Sequence, residues 1–129
     1  MRKLLSFIVL TAAVLLSAAT AGCSGTPQEE VAKQAMECLK NGDAEGYVET
    51  TLDAIPARGR LIVKELEKNH NGIKSYKLKK SEPYEEDDSY WFVTFEITDG
   101  NGKTFDGDIS LKKDENGEYR VNDVVNWYR

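Results

Sequence analysis

At Ile73 the apolar residues of this 129-residue chain change their spacing, and that change limits the folds open to it. Before Ile73 they recur every three or four positions, as along one face of a helix. After it they recur at every second position, as along one face of a strand. Helices followed by an antiparallel meander is the order of an α+β domain, with the helices lying on one face of the sheet.

The clearest helix lies in Thr26–Asp43, TPQEEVAKQAMECLKNGD. Thr26 can cap the free N–H groups, Pro27 suits the first helical position, and Glu29 completes a capping box. Val31, Ala32, Ala35, Met36 and Leu39 form one apolar stripe, with Glu30, Lys33, Gln34, Glu37 and Lys40 opposite. Gly42 supplies a left-handed stop, and Asp43 can cap a short second helix carrying Tyr47, Val48, Thr51 and Leu52. Pro56 ends that region or turns it. A third helix is expected over Arg58–Lys68 with Leu61, Ile62 and Leu66 inward, stopped by Asn71 and Gly72.

Four strands are expected. In Ile73–Lys80, Tyr76 and Leu78 share a face, and Glu82–Asp88 reads as a turn. Tyr90–Thr98 is the strongest strand: Trp91, Val93, Phe95 and Ile97 share one face, Tyr90, Phe92, Thr94 and Glu96 the other. A hairpin loop at Asp99–Gly102 leads to Thr104–Lys113, with Phe105, Gly107, Ile109 and Leu111 inward. Gly107 in mid-strand suggests a bulge or bend. The last strand, Tyr119–Tyr128, slips its alternation between Val121 and Val124, which again suggests a bulge.

The first residues carry a different message. Arg2 and Lys3 precede an apolar run from Leu4 to Leu16, too short for a comfortable membrane span, and small residues then lead into Cys23. This resembles a bacterial lipoprotein signal peptide: Ala21, Gly22 and Cys23 match the lipobox, while Thr20 stands where leucine is usual. The resemblance implies lipid attachment at Cys23, which would become the mature N-terminus. It divides the chain into a signal peptide (1–22), a lipidated cysteine with a short tether (23–26) and one domain (27–129). The implied address is the bacterial cell envelope, on the outer membrane if the host is Gram-negative. The tether would be short, since three residues span about 10 Å at full extension.

The helix ending in Asn41-Gly42-Asp43, the short helices after it, the aromatic strand and the closing strand into Trp127 resemble a nuclear transport factor two-like domain. More narrowly, the chain is similar to small bacterial lipoproteins that carry this cystatin-like cone. The resemblance implies a strongly curved sheet of about four strands wrapped on the long helix. It also implies a pocket at the open end, with Tyr47, Tyr76 and Trp91 as candidate lining residues. That superfamily includes enzymes, binding domains and dimerisation modules, so fold alone does not select among them.

Charge and composition narrow the choice. Removing Arg2 and Lys3 from the 17 basic residues leaves 15 against 22 acidic, a formal charge of −7. Such a surface repels nucleic acid, so no nucleic-acid role is expected. Cys38 is the only cysteine besides Cys23, so no disulfide framework exists, and it reads as a packed thiol beside the stripe. One histidine and no C-x-x-C pair exclude the common zinc spacings, and no metal or cofactor is expected. His70 itself reads as a solvated charge at a helix end. A calcium loop from Asp99 fails at Lys103, Thr104 and Ser110. Ketosteroid isomerase is a catalytic relative within the cone fold, but Asp106 and Asp108 alternate with the apolar face and point outward. No acid is seen within an apolar run, where its pKa would be raised for catalysis.

The one surplus is aromatic. Tyr90 and Phe92 make the second face of the best strand partly apolar, which marks them as a candidate interface. The reading from sequence is a membrane-tethered, non-catalytic accessory domain that binds a small ligand or another envelope protein. The alternatives are a dimerisation or interaction module without a pocket, and an enzyme using the cone.

Overall fold

The computed structural model describes residues 25–125 and Trp127. Cys23 and the proposed signal peptide lie outside the described residues, as does Tyr128. Among the described residues three helices come first: α1 (Pro27–Lys40), α2 (Ala44–Glu49) and α3 (Pro56–His70). Four strands follow as an antiparallel meander: β1 (Ile73–Pro83), β2 (Tyr90–Asp99), β3 (Thr104–Lys113) and β4 (Tyr119–Val125), in the order β1-β2-β3-β4.

Helix α1 begins and ends where its residues require. The Thr26 hydroxyl accepts from the Glu29 N–H at 3.2 Å, and Pro27 takes the first turn without wasting a donor. At the other end Gly42 adopts φ +70, and Asp43 immediately caps α2 by accepting from the Gly46 N–H at 2.9 Å. Ala32, Ala35, Met36 and Leu39 are buried, so the stripe faces the sheet. Pro56 starts α3 instead of closing the region before it, and Asn71 ends α3 in the left-handed conformation at φ 58. Gly59 allows α3 to come close to α2, because a Cβ there would press on Val48 and the Ala44 carbonyl.

Along β2 the expected faces are found: Val93, Phe95 and Ile97 are fully buried, with Trp91 half-buried at the strand's start. Opposite them on β3 stand Ile109, Gly107 and Phe105, with Leu111 facing Trp91. In β4, Asn122 is an extra residue against β3, since Leu111 pairs with Val121 while Ser110 pairs with Asp123. That bulge lets both Val121 and Val124 point inward, as the slipped alternation suggested. A parallel bridge from Thr51 to Val121 ties the end of α2 to the free edge of β4.

Two expectations are corrected. Leu61, expected inward, is 57% exposed, while Ile62 and Leu66 are buried. Leu61 falls just off the arc of α3 that packs, one residue before Ile62 and about 100° round the helix. Gly107 makes no bulge, because β2 and β3 pair without a register shift. Its role is space: a Cβ at Gly107 would lie 2.8 Å from Ile97 Cδ1 and 2.8 Å from Trp127 Nε1. The bulges on this sheet are in β1, at Lys74 and Lys79, and in β4.

Replacing Leu39 with Ala is therefore expected to cost about 2–5 kcal/mol in urea unfolding. Leu61→Ala should stay within about 0.5 kcal/mol. Comparable losses from both would contradict the packing of α3.

Candidate functional site

The candidate pocket residues make three separate sets of contacts. Tyr47, on α2, is buried in the core and borders a void of about 10 Å³, shared with Val48, Thr51, Gly59 and Asn122. That is room for about one water molecule. Tyr76, on β1, donates its hydroxyl to Glu37 Oε1 at 2.7 Å and sets its ring edge-on to Phe95 at 5.7 Å. Burial, then the Glu37 hydrogen bond and charge, push its phenol up to about 12. Trp91 donates Nε1 to Ser81 Oγ at 2.7 Å and meets Tyr119 edge-on at 6.0 Å.

The interior of the cone is occupied by side chains. Met36, Phe95, Ile109 and Trp127 are all fully buried inside the curve of the sheet. The Trp127 indole reaches back under β3, where Nε1 donates to the Asp108 carbonyl at 2.9 Å and the bare backbone of Gly107 gives it room.

One end of the core is closed by a polar cluster. His70, expected in solvent, is only 6% exposed. Its Nδ1 lies 3.0 Å from Asp99 Oδ2, its Nε2 lies 2.9 Å from the Trp127 carbonyl oxygen, and its ring stacks on Phe105 at 4.5 Å. Asp99 is 1% exposed, so a buried acid is present after all, at the end of β2 rather than within it. Its second oxygen, Oδ1, accepts from the backbone N–H groups of Asn101 and Lys103 at 2.9 Å each. Burial pushes the Asp99 carboxyl upward, but the His70 hydrogen bond and the two backbone donors outweigh it and leave the group below its ordinary value. The sequence signal was an Asp opening a Gly-rich hairpin loop. What it lacked was the partner, 29 positions earlier.

Tyr90 and Phe92 do share the outer face of the sheet. Tyr84, in the turn before β2, leans on both, with ring centroids 6.4 Å from Tyr90 and 5.6 Å from Phe92. Lys112 sits 5.1 Å above the Tyr90 ring. The trio is half covered by its own members, and Tyr84 remains 41% exposed. Next to it an open groove of about 440 Å³ runs over Phe92, Thr94, Lys80, Glu82, Asp106 and Asp108. Its acids are held by neighbours: Lys79 bonds Asp106 at 2.7 Å and Thr94 donates to Asp108 at 2.6 Å. Asp106 and Asp108 point outward as the alternation required. A second, more apolar groove of about 600 Å³ lies between the start of α1 and the β3–β4 turn, along Pro27, Val31 and Tyr119. Among the described residues no group of His, Cys, Asp and Glu is arranged to hold a metal ion.

A Campylobacter jejuni protein named as a candidate NTF2-like transpeptidase aligns with a TM-score of 0.53 at 13% identity, covering 73% of this chain and 95% of that one. Aln2 from a Streptomyces species aligns with a TM-score of 0.44 at 16% identity, covering 75% of this chain and 84% of that one. No family model matches the chain, and no curated protein matches it. The helices followed by a curved four-stranded antiparallel sheet are the α+β fold of nuclear transport factor two-like proteins. At this identity the likeness is one of architecture.

Two titrations follow. The folded value of Asp99 lies below that of the unfolded chain, so its stabilisation is complete above about 3.9 and is lost as pH falls through the lower folded value. Asp99→Asn should lower stability at neutral pH and flatten the acid limb of a stability–pH curve. Tyr76 is shifted the other way, so its contribution holds below about 10 and is lost as pH rises toward about 12. Absorbance titration should show a late phenol phase that is missing in Tyr76→Phe.

Proposed function

We propose that this chain is a lipid-anchored protein of the bacterial cell envelope that acts by contact, as a non-catalytic interaction module. The observation that carries this reading is the contrast between the two faces of the sheet. The inner face is filled by its own side chains, and the outer face carries Tyr84, Tyr90 and Phe92 together beside an open groove. Aromatic side chains in such a group can anchor a protein contact, since each buries a large area at low entropic cost. A second copy of the chain is the simplest partner, and another envelope protein is the alternative. Lipid attachment at Cys23 would hold the face close to the membrane on which partners move. Small-ligand binding is the second reading, supported by the apolar groove along Pro27, Val31 and Tyr119.

Cys23→Ser is expected to move the protein from the membrane fraction to the soluble one. A variant that stays membrane-bound removes the anchor from the proposal. For the face, Tyr90→Ser combined with Phe92→Ser should leave circular dichroism unchanged and reduce self-association in analytical ultracentrifugation, or partner capture in cross-linked envelopes. A wild-type protein that is monomeric and cross-links to nothing would end the interface reading.

A further inference from the structure

We propose that His70 is a proton-operated latch on Trp127: the protonated ring holds its backbone carbonyl and steadies the indole inside the cone, and the neutral ring loosens that hold. Both ring nitrogens face acceptors. Nδ1 is 3.0 Å from a carboxylate oxygen of Asp99, and Nε2 is 2.9 Å from the carbonyl oxygen of Trp127. Neither partner atom carries a proton to donate when Asp99 is ionised. A neutral imidazole has a single N–H, so both bonds coexist only on the imidazolium.

The bond that fails on deprotonation is decided by the surroundings. Asp99 is kept charged and in place by the backbone N–H groups of Asn101 and Lys103 on its other oxygen. A hydrogen bond to that carboxylate is charge-assisted and outcompetes one to a neutral carbonyl. The remaining proton therefore stays on Nδ1, and the lone pair of Nε2 is left facing the lone pairs of the Trp127 carbonyl. The contact turns from attractive to repulsive. Trp127 lies two residues past Val125, the last described residue of β4. Its other ties include the indole bond to the Asp108 carbonyl, the close approach to Gly107 and burial in the core.

The charges around the ring do not supply a substitute among the described residues. From β2 the facing group is Asp99, and from β3 it is the uncharged ring of Phe105. On α3 itself, Glu67 carries its carboxylate toward Gly72, where an added Cβ would meet it at 3.3 Å. Lys103 joins the cluster through its backbone N–H. The hold on Trp127 is then strongest with the ring protonated and Asp99 ionised. It weakens as rising pH removes the imidazole proton, and at the acid end it weakens again once Asp99 is protonated. Release of the indole would open a slot over Gly107 and Ile97 at the His70 end of the cone.

The test uses the full chain with Trp91→Phe, which leaves Trp127 as the one tryptophan. Nitrogen NMR of the His70 ring and hydrogen exchange of the Trp127 indole, relative to free indole, are followed from about pH 5 to about pH 9, across the range where imidazole titrates. The expected result is that indole protection falls about tenfold or more as the ring loses its proton, with a shared midpoint, as loss of a hydrogen bond to a charged group predicts. Backbone circular dichroism should hold through the change. A ring that keeps its proton throughout, or an indole whose protection ignores the ring's titration, overturns the latch. His70→Gln supplies an N–H without a titrating ring, and should keep Trp127 protected across the window. A folded His70→Gln protein whose Trp127 still releases with rising pH would also overturn it.

Discussion

A four-stranded sheet with a continuous apolar face must have that face covered, and most of this structure follows from how it is done. Val93, Phe95, Ile97, Ile109, Leu111, Val121 and Val124 all point to the same side. Together they present far more apolar area than a stable sheet could leave in water. The stripe of α1, Ala32, Ala35, Met36 and Leu39, is buried in that cover. α2 and α3 extend the cover, drawn together at Gly59. The bulge at Asn122 bends β4 so that two valines rather than one reach inward.

Helices alone leave one end of this core open, and the chain closes it with a tryptophan and a hydrogen-bonded His70–Asp99 pair. Trp127 supplies bulk, and Gly107 makes the slot that receives it. The cost of bringing polar groups into that end is met by complete pairing. Both Asp99 oxygens and both His70 nitrogens have partners, and the Phe105 ring covers the imidazole. Buried charges persist only under such conditions. The cluster joins the end of α3, the β2–β3 hairpin and Trp127.

The same filling of the interior shapes the functional reading. A cone whose interior is taken up by Trp127, Phe95 and Met36 has little space for a ligand, while its outer face keeps an aromatic group and a groove. The outward carboxylates at Asp106 and Asp108 are neutralised or bonded by Lys79 and Thr94, as suits a contact surface better than a proton-transfer site. What the polar cluster adds is a way for proton concentration to alter the interior without touching that face.

Sequence by itself determined the element order, the caps of α1 and α2, the inward residues of β2 and β3 and the slip in β4. Each of these rests on local periodicity, or on a side chain meeting its own backbone within four residues. It also marked Tyr90 and Phe92 as neighbours on one face, because alternation alone places them there. Tertiary structure alone decided the fate of His70, Asp99, Gly107, Leu61 and Trp127. His70 and Asp99 look like a helix-end charge and a turn residue until the hairpin folds against α3. Gly107 looks like a bulge until an indole 20 residues later needs the space of its missing side chain. Leu61 and Ile62 are adjacent apolar residues, and only the angle at which α3 docks chooses between them. In every such case the deciding contact lies far along the chain, and no local pattern encodes which distant group will arrive.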